Sequence, residues 1–140
     1  MTTRLSAIFQ FDRTVQEAEI DELQHVNNLV YLKWAMDAAV AHSTHVGWSP
    51  ERYRELGSGF IVRSHSIKYK RSAKLGDGIT TKTWIYTMER VSSIRKYEIR
   101  RKLDNKLLAT AETNWVFVDL ATQALRSIPD QLITDFASVE

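Results

Sequence analysis

The hydrophobic positions fall into two regimes, and the period changes near Phe60. Between residues 5 and 15, Leu5, Ala7, Phe9 and Phe11 alternate with Ser6, Gln10 and Asp12, which predicts a half-buried strand. From Leu29 to Val46 the pattern is different: Leu29, Val30, Tyr31, Leu32, Trp34, Ala35, Met36, Ala38, Ala39, Val40 and Ala41 leave few polar interruptions. Lys33 and Asp37, four apart, mark one narrow polar stripe. A helix this apolar is expected to be enclosed by other structure. Asn27 and Asn28 stand where an N-cap belongs. Ser49-Pro50-Glu51 through Leu56-Gly57 supplies a cap, a first-turn proline and a terminating glycine for a second, short helix.

Beyond Phe60 the period is two. Ile61, His65, Ile67 and Tyr69 alternate with Ser64, Ser66, Lys68 and Lys70, and Leu75-Gly76-Asp77-Gly78 provides a turn. Trp84, Tyr86 and Met88 alternate with Thr83 and Thr87, and Tyr97, Ile99 and Leu103 with Lys96, Glu98 and Arg100. Asp104-Asn105 is a further turn, and Ala109, Ala111, Trp115 and Phe117 share one face of the last run. The Thr, Val, Ile and aromatic content supports strands throughout. The order is strand, long helix, short helix, four strands. Consecutive antiparallel pairing of the last four is the economical topology. A single sheet that buries a single helix has to curl around it, giving an α+β fold over one domain, residues 1–140.

Composition narrows the chemistry. With 140 residues, 44% of them hydrophobic, the chain suffices for one core and is short for two. The absence of Cys excludes disulfides, thiolate-held zinc or iron–sulfur centres and a cysteine nucleophile. The N-terminal stretch lacks a basic flank followed by a long apolar run, and no window approaches a membrane span, so a soluble cytoplasmic protein without membrane attachment is expected. The formal net charge of +2 conceals an asymmetry: residues 61–110 hold 13 Lys+Arg against 4 Asp+Glu, a net +9, whereas residues 1–60 are net −3 and 111–140 net −4. Such a basic segment suits nucleic acid, the phosphates of a nucleotide-bearing molecule, an acidic carrier protein, or a solvated sheet face.

The most informative run is Glu19-Ile20-Asp21-Glu22-Leu23-Gln24-His25-Val26-Asn27-Asn28. It gathers Asp21, His25, Asn27 and Asn28 in a loop that ends at a helix N-terminus, where unpaired backbone N–H groups can support a developing negative charge. A carboxylate there can serve as nucleophile or general base; the alternative reading is a set of caps and turn polars. Metal ligation by His42, His45 and His65 is not expected from their spacing.

The ordered set Asp21, His25-Val26-Asn27-Asn28, Tyr31 and Trp34, with Ile67-Lys68-Tyr69, Leu75-Gly76-Asp77, Phe117-Val118-Asp119 and Ile128-Pro129, resembles the hotdog-fold thioesterases of the 4-hydroxybenzoyl-CoA and acyl-CoA group. Gln24 through Asn28 with Trp34 is also similar to plant acyl-ACP thioesterases. The resemblance implies a five-stranded antiparallel sheet curled around one long helix. It also implies hydrolysis of an acyl-CoA or acyl carrier protein thioester, and a homodimer or homotetramer whose neighbouring subunit completes the acyl pocket. Asp21 would be nucleophile or base, the amide near Asn28 the oxyanion donor, and His25 and Asn27 positioning groups. Arg90, Ser92 and Ser93 match the region that contacts the coenzyme A nucleotide, so coenzyme A enters as part of the substrate and no other cofactor or metal is expected. Two departures stand out: Glu19 where many members have Asp, and Gln24 where many have Gly. Glu19 reads by default as a solvated strand-end charge, and Gln24 lacks the backbone freedom of Gly. Asp37 occupies the helix, where another hotdog branch places its acid, or else is a surface charge near Lys33 or an interface contact. The rival readings are a non-catalytic hotdog module that binds acyl carriers or proteins and, third, a nucleic-acid binder, which the lack of an RNA-binding aromatic signature disfavours.

Overall fold

The computed structural model describes residues 4–137. Five strands, β1 (Phe9–Thr14), β2 (Ser58–Tyr69), β3 (Gly78–Met88), β4 (Ser92–Arg101) and β5 (Leu107–Asp119), form one antiparallel sheet in the order β1-β3-β4-β5-β2. Helix α1 (Asn28–His45) lies against β1, β3 and β4, and α2 (Pro50–Leu56) against β2. This is the α+β hotdog arrangement that the sequence resemblance implies.

The helix ends follow from local chemistry. Asn27 caps α1 by accepting from the Leu29 amide at 2.9 Å, and Ser49 caps α2 through the Arg52 amide at 3.2 Å. Gly57 closes α2 in the left-handed region at φ 77°, where a residue with a Cβ would be strained. On α1 the stripe Tyr31, Trp34, Ala35, Ala38 and His42 is buried. Trp34 sits with Tyr31, Val15, Val26, Ile79, Ile99 and Leu108 in the core between helix and sheet. A second apolar cluster, with Trp48, Ile85, Phe117, Leu132 and Phe136, closes the far end.

Three expectations need correction. Helix α1 is not enclosed all round: Leu29 is 76% and Val40 53% exposed, because a single sheet covers only one side of the helix. Strand β2 does not pair with β3; it pairs with β5, since the other side of β3 is already taken by β1. The link between β2 and β3 crosses the N-terminal end of α1 instead. There the Ala73 amide donates to the Tyr31 hydroxyl at 2.8 Å and the Ala73 carbonyl accepts from the Val26 amide at 3.1 Å. On β3, whose alternation left the facing open, the inward residues are Ile79, Thr81, Thr83 and Ile85, while Trp84 and Tyr86 lie on the outer face, Tyr86 beneath the Lys96 ammonium at 4.0 Å. The third correction is an additional helix, α3 (Asp130–Ala137), whose Leu132 and Phe136, one turn apart, are both buried.

Both long edges of the sheet end differently. Strand β1 is six residues long and amphipathic, whereas β2 runs for twelve and leaves Val62 through Ser66 exposed. Its outer side carries backbone donors and acceptors with no sheet neighbour among the described residues.

Candidate active site

The loop between β1 and α1 is built from its own polar groups. Asp21 accepts through Oδ1 from the Leu23 amide at 2.9 Å and the His25 amide at 3.2 Å, and its own amide donates to the His25 carbonyl at 2.8 Å. Ile20 and Val26 bridge the neck of this loop. Gln24 occupies the left-handed region at φ 64°, so the loop keeps a turn that suits glycine although a side chain is present. Neither Asp21 Oδ2, the His25 ring nor the Asn28 amide hydrogen-bonds to another described residue. The Asn27 side chain is already used as the helix cap, and the Tyr69 hydroxyl donates to the Asn28 carbonyl at 3.1 Å. Asp21, His25, Asn27 and Asn28 therefore meet at the open end of α1, where the helix dipole is positive.

Glu19 is not a solvated charge. Its Oε2 accepts from the Trp34 indole at 2.9 Å, its Oε1 from the Gln16 amide at 2.8 Å, and its carbonyl from the Asn27 amide at 2.9 Å. It ties the loop to the core. Asp37 is held by Arg13 at 2.9 Å and Lys33 at 2.8 Å. Burial alone would raise its carboxyl, but hydrogen bonds and charge from Lys33 and Arg13 outweigh that and hold it below the usual range. The sequence alternative of a charge beside Lys33 holds, with Arg13 as a second partner.

The residues matched to a nucleotide site are separated. Arg90 is exposed in the β3–β4 turn, with Nε donating to Ser127 Oγ at 3.4 Å, and Ser92 beside it is half-buried. Ser93 turns inward, and its hydroxyl donates to the Thr87 carbonyl at 2.9 Å. Nor is the basic segment one open patch: Lys96, Arg100, Arg101 and Lys102 pair with Glu112, Glu98, Asp104 and Asp12.

At the far half of α1 an apolar pocket of about 290 Å³ opens among Ala39, Tyr53, Phe60, Met88 and Trp115, with Arg95 in its wall. The Arg95 guanidinium donates through Nη1 to His42 Nδ1 at 2.9 Å and to Thr83 Oγ1 at 3.1 Å. Because arginine only donates, His42 Nδ1 is the acceptor and the neutral ring carries its proton on Nε2. The ring also stacks on Phe9 at 5.1 Å. Burial, then the Arg95 charge, then His45 push His42 down to about 3. Ala39 lies eleven residues along α1 from Asn28, about 16 Å of helix, so within one chain the pocket and the Asp21 loop stand apart. Neither His42 nor Arg95 was singled out for the site in the sequence, although both have a visible signal. His42 continues the buried stripe of α1, and Arg95 falls on the inward face with Tyr97 and Ile99.

Among the described residues, no group of three or more His, Asp or Glu is placed to hold a metal, and no helix is long and apolar enough to cross a membrane. Residues 15–136, from just after β1 to the last helix, match the model of the thioesterase-like superfamily. The chain belongs to that superfamily. This thioesterase-like chain is 26% identical over 121 residues to the long-chain acyl-CoA thioesterase FadM of Escherichia coli (strain K12), covering 84% of its own length and 89% of the relative's. Two solved structures show the same fold. Slr0204, a 1,4-dihydroxy-2-naphthoyl-CoA thioesterase from Synechocystis, superposes with a TM-score of 0.88 at 21% identity, covering 95% of this chain and 98% of that one. A putative oleoyl thioesterase from Lactobacillus plantarum gives 0.88 at 18% identity, covering 94% of this chain but 51% of its own longer chain.

The depressed His42 fixes a sign for acid stability. The unfolded histidine takes a proton near pH 6.5 and the folded one only near 3, so the unfolded state binds more protons between these values. Stability contributed by the neutral ring is complete above about pH 6.5 and falls as pH drops toward 3. Thermal melts of wild type should therefore lose stability between pH 6.5 and 4 more steeply than melts of His42→Gln, whose amide oxygen keeps an acceptor for Arg95 but takes no proton. Parallel curves would show that His42 is not the group responsible.

Proposed function

We propose that this chain hydrolyses the thioester of an acyl-CoA, or of an acyl carrier protein, to a free acid and a thiol. The observation that carries the reading is the Asp21 carboxylate, fixed by two loop amides at the open N-terminus of α1 in a chain of this superfamily. The names of FadM and of the naphthoyl-CoA enzyme support coenzyme A as the carrier.

Thioester hydrolysis needs an oxygen nucleophile at the carbonyl and a place for the charge that forms. With Oδ1 held by the loop, Oδ2 either takes a proton from the attacking water or itself adds to the carbonyl, giving an anhydride that water then opens. In either case the C–S bond breaks and the thiolate leaves, to be protonated from solvent. The Asn28 amide, free at the positive end of α1, supports the oxyanion. His25 and Asn27 position the loop and the substrate.

The acyl group needs an apolar pocket, and this chain's own lies about 16 Å along α1 from Asn28. Strand β2 resolves the mismatch. Its first residues, Gly59 and Phe60, line the pocket, and its last, Tyr69, touches Asn28. Antiparallel pairing of two copies along this open edge sets the pocket of one beside the Asp21 loop of the other. A homodimer, alone or paired into a tetramer, then carries two composite sites.

Asp21→Asn should keep the fold and lower turnover by about 10² or more on a panel of aromatic and aliphatic acyl-CoAs. Single-turnover hydrolysis in ¹⁸O-water separates the two roles, since label enters the Asp21 carboxylate only if it is the nucleophile. No activity on any panel member, or full activity in the variant, would transfer the case to a non-catalytic binding module. Light scattering should give at least twice 16.2 kDa at micromolar concentration, and a monomer would defeat the composite site.

Arg90 is proposed to meet the phosphates of coenzyme A, with Ser92 beside it. Ser93 contributes only through the strand it anchors. Because a phosphate contact is distant from the reacting carbonyl, Arg90→Ala should raise KM several-fold to tens-fold and leave kcat nearly unchanged. An acyl-pantetheine, which has no nucleotide, should be handled equally by both proteins.

A further inference from the structure

The wall of the apolar pocket contains a charge without a counter-charge. Arg95 is 4% exposed, and no carboxylate of the described residues forms an ion pair with it. Its Nη1 is satisfied by two neutral acceptors, His42 Nδ1 and Thr83 Oγ1, while Nε and Nη2 hydrogen-bond to no described residue. The plane of the guanidinium is steadied by the Phe136 ring, 5.7 Å from its carbon.

Among the described residues, the other titratable groups around it leave the charge uncompensated. His42 is neutral. Burial raises the Tyr53 and Tyr97 hydroxyls, which keeps both protonated near neutral pH, and the Tyr53 hydroxyl is bonded to Ser43 Oγ at 3.0 Å. Desolvation brings Arg95 itself down to about 10, which still leaves it ionised at neutral pH. Leaving an ionised group buried and unpaired is costly, whereas an apolar residue of similar size would fill the same wall without that cost. The unused Nε–Nη2 edge is the side of arginine that grips a carboxylate with two parallel bonds.

We propose that Arg95 makes this pocket selective for acyl groups that end in a carboxylate, gripped side-on by Nε and Nη2. The inference rests on the pocket being the acyl pocket of the reading above. The ligand class is an ω-carboxyacyl thioester of moderate length, since about 290 Å³ is at the small end of ligand pockets. Its distal carboxylate supplies the missing counter-charge.

The test compares octanoyl-CoA with octanedioyl-CoA, its dicarboxylic counterpart of equal length. Wild type should favour the dicarboxylic ester about 10- to 100-fold in kcat/KM, the range of a charge-assisted hydrogen-bond pair. Arg95→Met should bring that ratio to one or below, and Arg95→Lys, with a point charge and no fork, to an intermediate value. Turnover of both esters by wild type without preference overturns the proposal and leaves the thioesterase reading standing.

A binding arm needs no turnover: free octanoate and 1-octanol are compared by thermal shift and calorimetry on wild type and Arg95→Met. Octanoate should bind wild type at least about ten-fold more tightly than the alcohol, with the difference lost in the variant. Equal binding by wild type overturns the proposal even if neither ester is hydrolysed, and the thioesterase reading is then decided separately by the wider acyl-CoA panel. If Arg95→Met fails to fold, the wild-type ratios and Arg95→Lys decide.

Discussion

An indole N–H buried in a core has to find a partner, and in this protein that requirement organises the end of the molecule where chemistry is expected. Trp34 is fully buried between α1 and the sheet, and its donor is met by Glu19 at 2.9 Å. Glu19 in turn takes the Gln16 amide on its side chain and the Asn27 amide on its backbone. One core residue thus determines where the chain leaves β1 and where α1 begins. Asp21 and Asn28 lie within that span, so the placement of the candidate site is a by-product of satisfying a tryptophan.

The opposite end of the helix follows a different rule. There a buried cation, a neutral histidine and a threonine hydroxyl share hydrogen bonds in a wall that is otherwise aromatic and aliphatic. The first end is closed by carboxylates that accept from the backbone and an indole; the second is left electrically incomplete. The two ends are bridged by β2, whose first residues line the pocket and whose last touches the start of α1.

Much of this is legible in the sequence. The asparagine cap, the apolar helix, the short helix between Ser49 and Gly57 and the succession of strands were all encoded in local pattern, because caps, periodicity and turn residues act over a few positions. The partner of β2 was not legible, since pairing depends on which sheet edge another strand already occupies. The facing of β3 was not legible either, because alternation alone assigns no side: Thr83 is inside with its hydroxyl bonded to the Lys96 carbonyl at 3.1 Å and to Arg95. Glu19 was misjudged for a related reason: a glutamate beside a loop reads as solvated until the distant indole that needs it is known. His42 and Arg95 were in register with buried neighbours, and a stricter use of period would have put both inside. The family model match confirms the family resemblance, while the roles of individual side chains rest on the chemistry argued above.

Gln24 shows how little a departure from family habit can mean. Holding a residue with a Cβ at φ 64° costs about 1 kcal/mol or somewhat more relative to glycine. Glycine at the same place would lose more backbone freedom on folding, by roughly 0.5–1 kcal/mol. The two terms oppose each other, and at a positive φ the strain is the larger. Gln in place of Gly then costs the loop a little stability, and it says little about whether the neighbouring carboxylate is at work.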